Sequence, residues 1–411
     1  MKISVFLVII LLVIFWYGVV PLAGAIINSY KWFLFRRRFD ELRLRPILDY
    51  RIYRKLKKKE KKFRFIGGFE SITDRKTLWI QGENLTIPVS LADAHIYLLP
   101  IQKGEGIKDI VDPGEEAPER INWNRVTTLT EGARVYAGGA LVFRDERWIF
   151  VSTKNVPLIV IFFDGPDKSL TTRAISAGCH RNEYLNGITP YSLALGALSQ
   201  IIIALRFLNR PAFRLTVITN IIAMFIPLFP MIPPGILFTT IYRRLSWQAR
   251  KFKVYSDLAR LPLRYLTPIS GAQTYNNIPY ARQPDSHNPA PFANNSGWQG
   301  SLLPNGEPYG MICCDSPPAA MQEGKIPPLI PELTKTRNKT WYIFGALHKG
   351  EEIPVEPNDP FATFGVLPEK PDLLARRYAM ASYTLDVIAW IVLLLGIGLN
   401  IYFVRLILTL L

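Results

Sequence analysis

Cysteine and histidine are scarce in this chain of 411 residues, with three of the first and four of the second. Cys179, Cys313 and Cys314 cannot all pair within one molecule, and a bridge between the neighbours Cys313 and Cys314 is strained. That excludes a disulfide framework and fits a reducing compartment, with the thiols serving as small hydrophobes. No phosphate-binding Walker loop is present, nor an HExxH pair, a serine-centred G-x-S-x-G turn or paired CxxC motifs. Heptads and internal repeats are also missing. These gaps leave no metal-ligand set and no cofactor motif, so no metal and no cofactor are expected.

What the chain does have is apolar sequence, unevenly spread. Apolar residues make up 49% of it and the mean hydropathy is +0.13. Residues 3–30 carry no charge at all, and at ~1.5 Å per residue they outrun a ~30 Å hydrocarbon core. The small residues Ala23, Gly24 and Ala25 resemble a signal-peptide cleavage site. The apolar run before them is long for a signal, however, and the flank after them is strongly basic, so an uncleaved anchor is expected.

Three further segments have membrane character. Residues 188–205 are moderately apolar, with Gly196 and Ala197 small enough to meet another helix. Residues 215–242 are charge-free but hold Pro227, Pro230, Pro233 and Pro234. Proline removes a backbone donor and clashes with the preceding turn, so a straight helix is not expected there. The plain reading is one kinked crossing; the sharper one is a discontinuous helix around a binding site. Residues 383–404 form the last segment, with Asp386 near its start and Gly396 and Gly398 as close-packing candidates.

Charge asymmetry orients these segments. The formal net charge is +16. Between Lys31 and Arg64 there are 15 Lys or Arg against four Asp or Glu, and residues 242–264 hold seven against one. With both flanks cytoplasmic, the N-terminus lies outside, 31–187 inside, 206–214 outside, 243–382 inside and the C-terminus outside. Arg206, Arg210 and Arg214, around the short outer turn, dissent from this rule. A bacterial inner membrane fits the strong asymmetry, and the sequons at Asn84, Asn294 and Asn338 are then cytoplasmic and without meaning.

In the 31–64 flank, Leu42, Leu44, Ile47, Leu48, Ile52 and Leu56 recur among charges. A basic juxtamembrane helix is expected, either lying on the leaflet or serving as a solvated stem. Arg36, Arg37, Arg38, Lys57, Lys58, Lys59, Arg243 and Arg244 are the candidates for contact with anionic lipid headgroups. No nucleic-acid-binding signature accompanies the charge, so nucleic acid is not an expected partner.

From 65 to 178 the period changes. Short β-branched and aromatic runs such as TLWIQG, ARVYAGGALVF, ERWIFVST and PLIVIFFDG alternate with turn residues. They predict a small antiparallel sandwich or barrel, with a hairpin turn at 144–147, a bulge at Gly138 and Gly139, and a short helix within 88–96. Asp93 and His95 would share one face of a strand but lack a third ligand. Cys179, His180 and Glu183 are the other enzyme candidates, against the plainer reading of a loop entering the second span.

Residues 243–264 predict a second basic helix, ending by Pro262. Beyond it the composition shifts: 265–375 holds 17 prolines and nine glycines, which predicts an extended arm. Tyr275, Tyr280, Phe292 and Trp298 are its partner-binding candidates, and TWYIFGAL at 340–347 reads as a strand. The expectation is therefore a polytopic α-helical membrane protein with a cytoplasmic mainly-β domain and a proline-rich extended region. The leading function is a non-enzymatic scaffold or assembly subunit whose partners are other membrane subunits or copies of itself. A channel or transporter subunit built on 215–242, and a membrane enzyme, are the alternatives.

Overall fold

A computed structural model describes residues 2–56, 61–73, 76–99, 119–126, 133–144, 146–176, 186–266, 300–314, 316–330, 332–333, 340–348 and 353–410. The chain divides into two compact units. The first comprises Met1–Leu34, His180–Arg250 and Ala381–Leu411; the second comprises Phe35–Cys179 and Lys251–Met380.

The first unit is helical. Helix α1 (Lys2–Ile14) runs through a π turn (Phe15–Val19) into α2 (Val20–Arg43). Helix α4 (Thr189–Phe207) follows, α3 (Asp167–Ser176) belonging to the other unit. Then come α5 (Arg214–Met224), the start of α6 (Gly235–Leu266) and most of α7 (Pro371–Leu410). Three helices, within Val5–Arg43, Thr189–Phe207 and Pro371–Val404, are long and apolar enough to cross a membrane.

The fourth expected segment is broken. Helix α5 stops at Met224, a 3₁₀ turn covers Ile226–Met231 and α6 begins only at Gly235. Prolines cannot supply the donors that would continue the ladder. The carbonyls they free are taken by side chains instead. Asn400 Nδ2 donates to Phe229 O at 2.6 Å and Ile232 O at 3.2 Å, and Thr239 Oγ1 donates to Pro230 O at 2.9 Å.

Two glycines permit close helix contact. A Cβ at Gly196 would fall 2.3 Å from the Tyr17 ring, and one at Gly396 would fall 2.6 Å from Phe238 Cβ. Gly398, the other candidate on the last helix, has nothing within 4 Å.

In the second unit, strands β1 (Lys61–Thr73), β2 (Thr77–Gln81), β3 (Thr86–Ser90), β6 (Arg134–Arg144) and β7 (Arg147–Val151) close a barrel in the order β1-β2-β3-β7-β6-β1. Strands β8 (Ile159–Phe163), β4 (His95–Leu98) and β5 (Glu119–Ile121) extend from β6. The β3–β7 closure is parallel, as is β4–β8, so the barrel is not wholly antiparallel. Five strands thus close on themselves, with three more extending from β6. Such a topology hosts many functions and assigns none.

Strand β1 makes the closure possible. Its first half pairs with β6, with Phe63 opposite Gly139 and Phe65 opposite Ala137. Its second half pairs with β2, across a bulge between Phe69 and Ser71. Gly67 stands at the changeover, where a Cβ would come 2.2 Å from Gln81 O, so only glycine admits the neighbour. The expected bulge at Gly138 and Gly139 is corrected: both keep regular register. Their missing side chains admit neighbours instead, since a Cβ would meet Leu42 at Gly138 and Leu158 at Gly139. The expected helix in 88–96 is likewise absent. Strand β3 continues to Ser90, and Asp93, at φ 57°, turns the chain into β4. The hairpin turn does lie at 144–147, with Arg144 opposite Arg147 and Glu146 at φ 61°.

The basic flank is not one helix. Helix α2 ends at Arg43, and β1 begins at Lys61. Phe35, Phe39 and Leu42 form the buried face of the stem, with Phe35 4.3 Å from Tyr97 and Phe39 5.4 Å from Tyr136. Leu48 joins the barrel core, and Ile52 and Leu56 pack against it. These apolar residues cover protein rather than a leaflet. The second basic helix also runs further than expected, with α6 continuing past Pro262 to Leu266.

The arm is corrected in part as well. Residues 300–367 contain a four-stranded antiparallel sheet of β9 (Gly300–Leu302), β10 (Pro308–Cys314), β11 (Trp341–Ala346) and β12 (Gly365–Leu367), ordered β12-β11-β10-β9. Trp341, Ile343, Val366, Ala320 and Ile326 form its core. The prolines do not prevent this sheet because they fall at strand starts and in connections, where no ladder donor is needed.

Candidate functional site

The most elaborate polar arrangement lies in the second unit, around residues 359–363. Arg64, on β1, and Asp359 form an ion pair whose side chains are 1% and 0% exposed. Arg64 Nε also donates to Arg45 O at 2.6 Å. Its guanidinium lies 4.7 Å from the centre of the Phe361 ring. Arg43, at the end of α2, donates to Asp40 at 2.8 Å and lies 4.9 Å over the Tyr265 ring. Asp40 is shared with Arg264, at 3.1 Å.

The segment between is held by its backbone. Phe361 O accepts from Tyr265 OH at 2.9 Å, and Thr363 O accepts from Tyr309 OH at 2.7 Å. Phe361 N donates to Asp359 Oδ1 at 3.0 Å. Thus β1, the stem of α2, the end of α6 and strand β10 converge on five residues of loop.

Burial pushes the hydroxyls of Tyr136, Tyr265 and Tyr309 above their ordinary range. They remain neutral and cannot act as bases near neutral pH. The two buried cations, Arg43 and Arg64, are matched by the carboxylates of Asp40 and Asp359 and by aromatic faces. The arrangement holds elements together, and its Arg64–Asp359 pair is sealed from solvent.

The sequence candidates are scattered. Arg37, Arg243 and Arg244 are exposed, while Arg36 and Arg38 are half-buried. Arg38 Nη1 is 2.9 Å from His95 Nε2. Facing a permanent donor, that nitrogen acts as the acceptor, so the ring is neutral with its proton on Nδ1. Burial first, and then the charges of Arg120 and Arg38, lower the imidazole's pKa. Asp93 is exposed on the turn before β4, while His95, on β4, is half-buried. Lys57, Lys58, Lys59, Cys179, His180, Glu183, Tyr275, Tyr280, Phe292 and Trp298 lie outside the described residues. Among the described residues no group of three or more His, Cys, Asp or Glu could hold a metal ion.

Residues that, Gly196 apart, were not singled out beforehand are more telling. On α4 the buried positions are Thr189, Ser192, Gly196 and Gln200. On α5 they are Val217, Asn220 and Ala223, and on the membrane half of α7 Ala389 and Asn400 are among the buried. The opposite faces carry exposed Leu195, Leu198, Ile202, Leu205, Ile391 and Leu394. Ser192 Oγ donates to Trp16 O, and Asn220 Nδ2 to Gln200 O. The spacing Ser192–Gly196–Gln200, every fourth residue, was the available signal for this face.

The described elements define a unit of membrane-length helices and a unit built on a closed β barrel. No protein-family model, no curated protein and no solved structure matches the chain.

Proposed function

We propose that the chain is an integral membrane protein with four crossings, holding its β unit in the cytoplasm as a scaffold or assembly subunit of a larger membrane complex. The observation that carries this is the inverted burial of the first unit. Amides, hydroxyls and glycine face inward while leucine and isoleucine face outward. Water drives the opposite arrangement; a hydrocarbon solvent favours this one.

Parity supports the fourth crossing. Residues 35–179 and 251–380 belong to one compact unit, so both stay on one side of the bilayer. Helix α4 crosses once between them. The broken stretch 211–242 then has to cross back, although neither of its helical parts is long enough alone. Both termini lie on the far side, and the basic flanks favour the cytoplasm for the β unit.

The scaffold reading draws on the clamp at 359–363, which gives a rigid body assembled from two distant stretches of chain. The transporter alternative has less behind it, since protein side chains occupy the carbonyls that the prolines release.

Three experiments test this. Alkaline carbonate should leave the chain in the membrane pellet, and a reporter fused after Leu411 should respond as non-cytoplasmic. A cytoplasmic reporter signal would refute the parity argument. Mild-detergent extraction followed by sizing and mass spectrometry should yield a defined particle with stoichiometric partners or copies. A monodisperse small species without partners would remove the scaffold reading.

A further inference from the structure

Several cations of the stem and barrel meet a carboxylate. Arg43 has Asp40, Arg45 and Lys62 share Glu41, and Arg134 has Asp167. Arg38 and Arg120 differ. Arg38 makes one hydrogen bond among the described residues, to the neutral ring of His95 at 2.9 Å. Arg120 makes no hydrogen bond or ion pair among them.

Three elements of the second unit bring these two arginines to one surface. His95 and Tyr97 alternate on β4 with Ile96, which joins the barrel core, so the two rings share the opposite face of the strand. Arg120, on β5, is the register partner of Tyr97. The stem packs against that face within the same unit: Phe35 lies 4.3 Å from Tyr97, and Arg38, one helical turn on, reaches His95. Both guanidinium charges act on both rings. They add to the lowering that burial imposes on His95, and they offset part of the rise that burial imposes on Tyr97. Arg38 is half-buried and Arg120 exposed, so their spare N–H groups open to solvent, whereas His95 Nδ1 is sealed.

We propose that Arg38 and Arg120 form a binding site for a phosphate group, with His95 as the residue that positions Arg38. Two neighbouring guanidiniums without a counter-charge repel, and an anion between them replaces repulsion by attraction. Each fork can donate two parallel N–H bonds to adjacent oxygens. A phosphate monoester offers three terminal oxygens and about two negative charges, enough for both forks; a carboxylate offers two oxygens and one charge. His95 spends its Nε2 lone pair on Arg38 Nη1, which fixes the plane of that fork and leaves the other N–H groups for the ligand. A lipid headgroup and a free phosphate share this chemistry. The site is built wholly from the second unit, so it stands apart from the membrane reading above.

The test uses the full chain purified in a neutral detergent and titrated calorimetrically. The probes are inorganic phosphate, dihexanoyl phosphatidate and dihexanoyl phosphatidylcholine, the last with the same chains but no phosphate monoester. Wild type should bind phosphate, phosphatidate or both, and bind the choline lipid far more weakly. Tighter binding of phosphatidate assigns the site to a lipid headgroup; equal or tighter binding of inorganic phosphate assigns it to a soluble ligand. R120Q changes an exposed side chain, so folding is retained, and it should weaken binding about tenfold or more, as loss of a charge-assisted hydrogen bond implies. R37Q, an exposed neighbour outside the cluster, should leave binding unchanged. His95→Gln keeps an acceptor for Arg38 and should bind nearly as wild type does, while His95→Leu should bind more weakly. A bound anion also offsets the two charges acting on His95, so phosphate should raise the pKa of that imidazole, read from its NMR signals. Absence of saturable binding by either monoester would overturn the site. So would equal binding of the choline lipid, equal weakening by R37Q and R120Q, or a His95 titration indifferent to saturating phosphate. An H95L variant that binds like wild type would overturn the positioning role.

Discussion

The two units solve the problem of buried polarity in opposite ways. The second unit buries an aromatic and aliphatic barrel core and then seals one cluster of full charges beside it, Arg43, Arg64 and Asp359. The first buries no such charge among its described residues; it hides amides and hydroxyls and turns its aliphatic side chains outward. A charge can be buried where a counter-charge and aromatic faces are built around it. The Asn400 amide finds its acceptors in two carbonyls of the broken stretch. The contrast shows that "inside" and "outside" follow the solvent proposed for each unit.

Breaking one partner of the sealed pair should have the largest effect. Asp359→Ala leaves Arg64 buried and unmatched, and should cost the second unit about 3–5 kcal/mol in denaturant unfolding of the purified chain. The double variant R64M/D359L should recover most of that loss. If the single and double variants were equally damaged, the ion pair would not be what joins β1 to the 359–363 segment.

A smaller effect is expected where the polarity is an amide. Asn400→Leu removes the donors to Phe229 O and Ile232 O, and should lower stability in micelles by about 1–2 kcal/mol. An unchanged unfolding curve would mean that the break between α5 and α6 does not depend on the last helix.

The smallest effect concerns pH. The folded His95 imidazole has a lowered pKa, so the folded state binds fewer protons than the unfolded one. Its contribution is complete above an unfolded value of about 6.5 and is lost as pH falls through that range. Unfolding followed between neutral and mildly acid pH should show a decline that His95→Gln, which keeps an acceptor for Arg38, reduces. Identical slopes would dismiss the role of this residue.

The helices and barrel strands were largely legible, and the reasons are local. A charge-free run such as 3–30 and an apolar, aromatic and β-branched strand such as RVYAGGALVF carry their signals within a few residues. The small sheet of 300–367 was not legible, because proline density argues against strands unless each proline's position relative to the ladder is known. The clamp was equally hidden: nothing local separates Arg43 and Arg64 from the other basic residues of their flank. The carboxylate that pairs with Arg64 lies 295 residues further along, and although Arg43 has a local carboxylate in Asp40, the ring of Tyr265 that covers it is distant in sequence. Of the buried amides in these helices, Gln200 left a faint trace in the fourfold spacing of α4, while Asn220 sits on α5 outside that spacing.

The Arg64–Asp359 pair also carries a timetable. The arginine emerges from the ribosome 295 residues before the aspartate, which at about 5–20 residues per second is a wait of roughly 15–60 s. The last barrel strand is complete at Val151, so for most of that interval the barrel is made but its carboxylate is not. A nascent barrel therefore presents an unmatched guanidinium until the carboxylate is made.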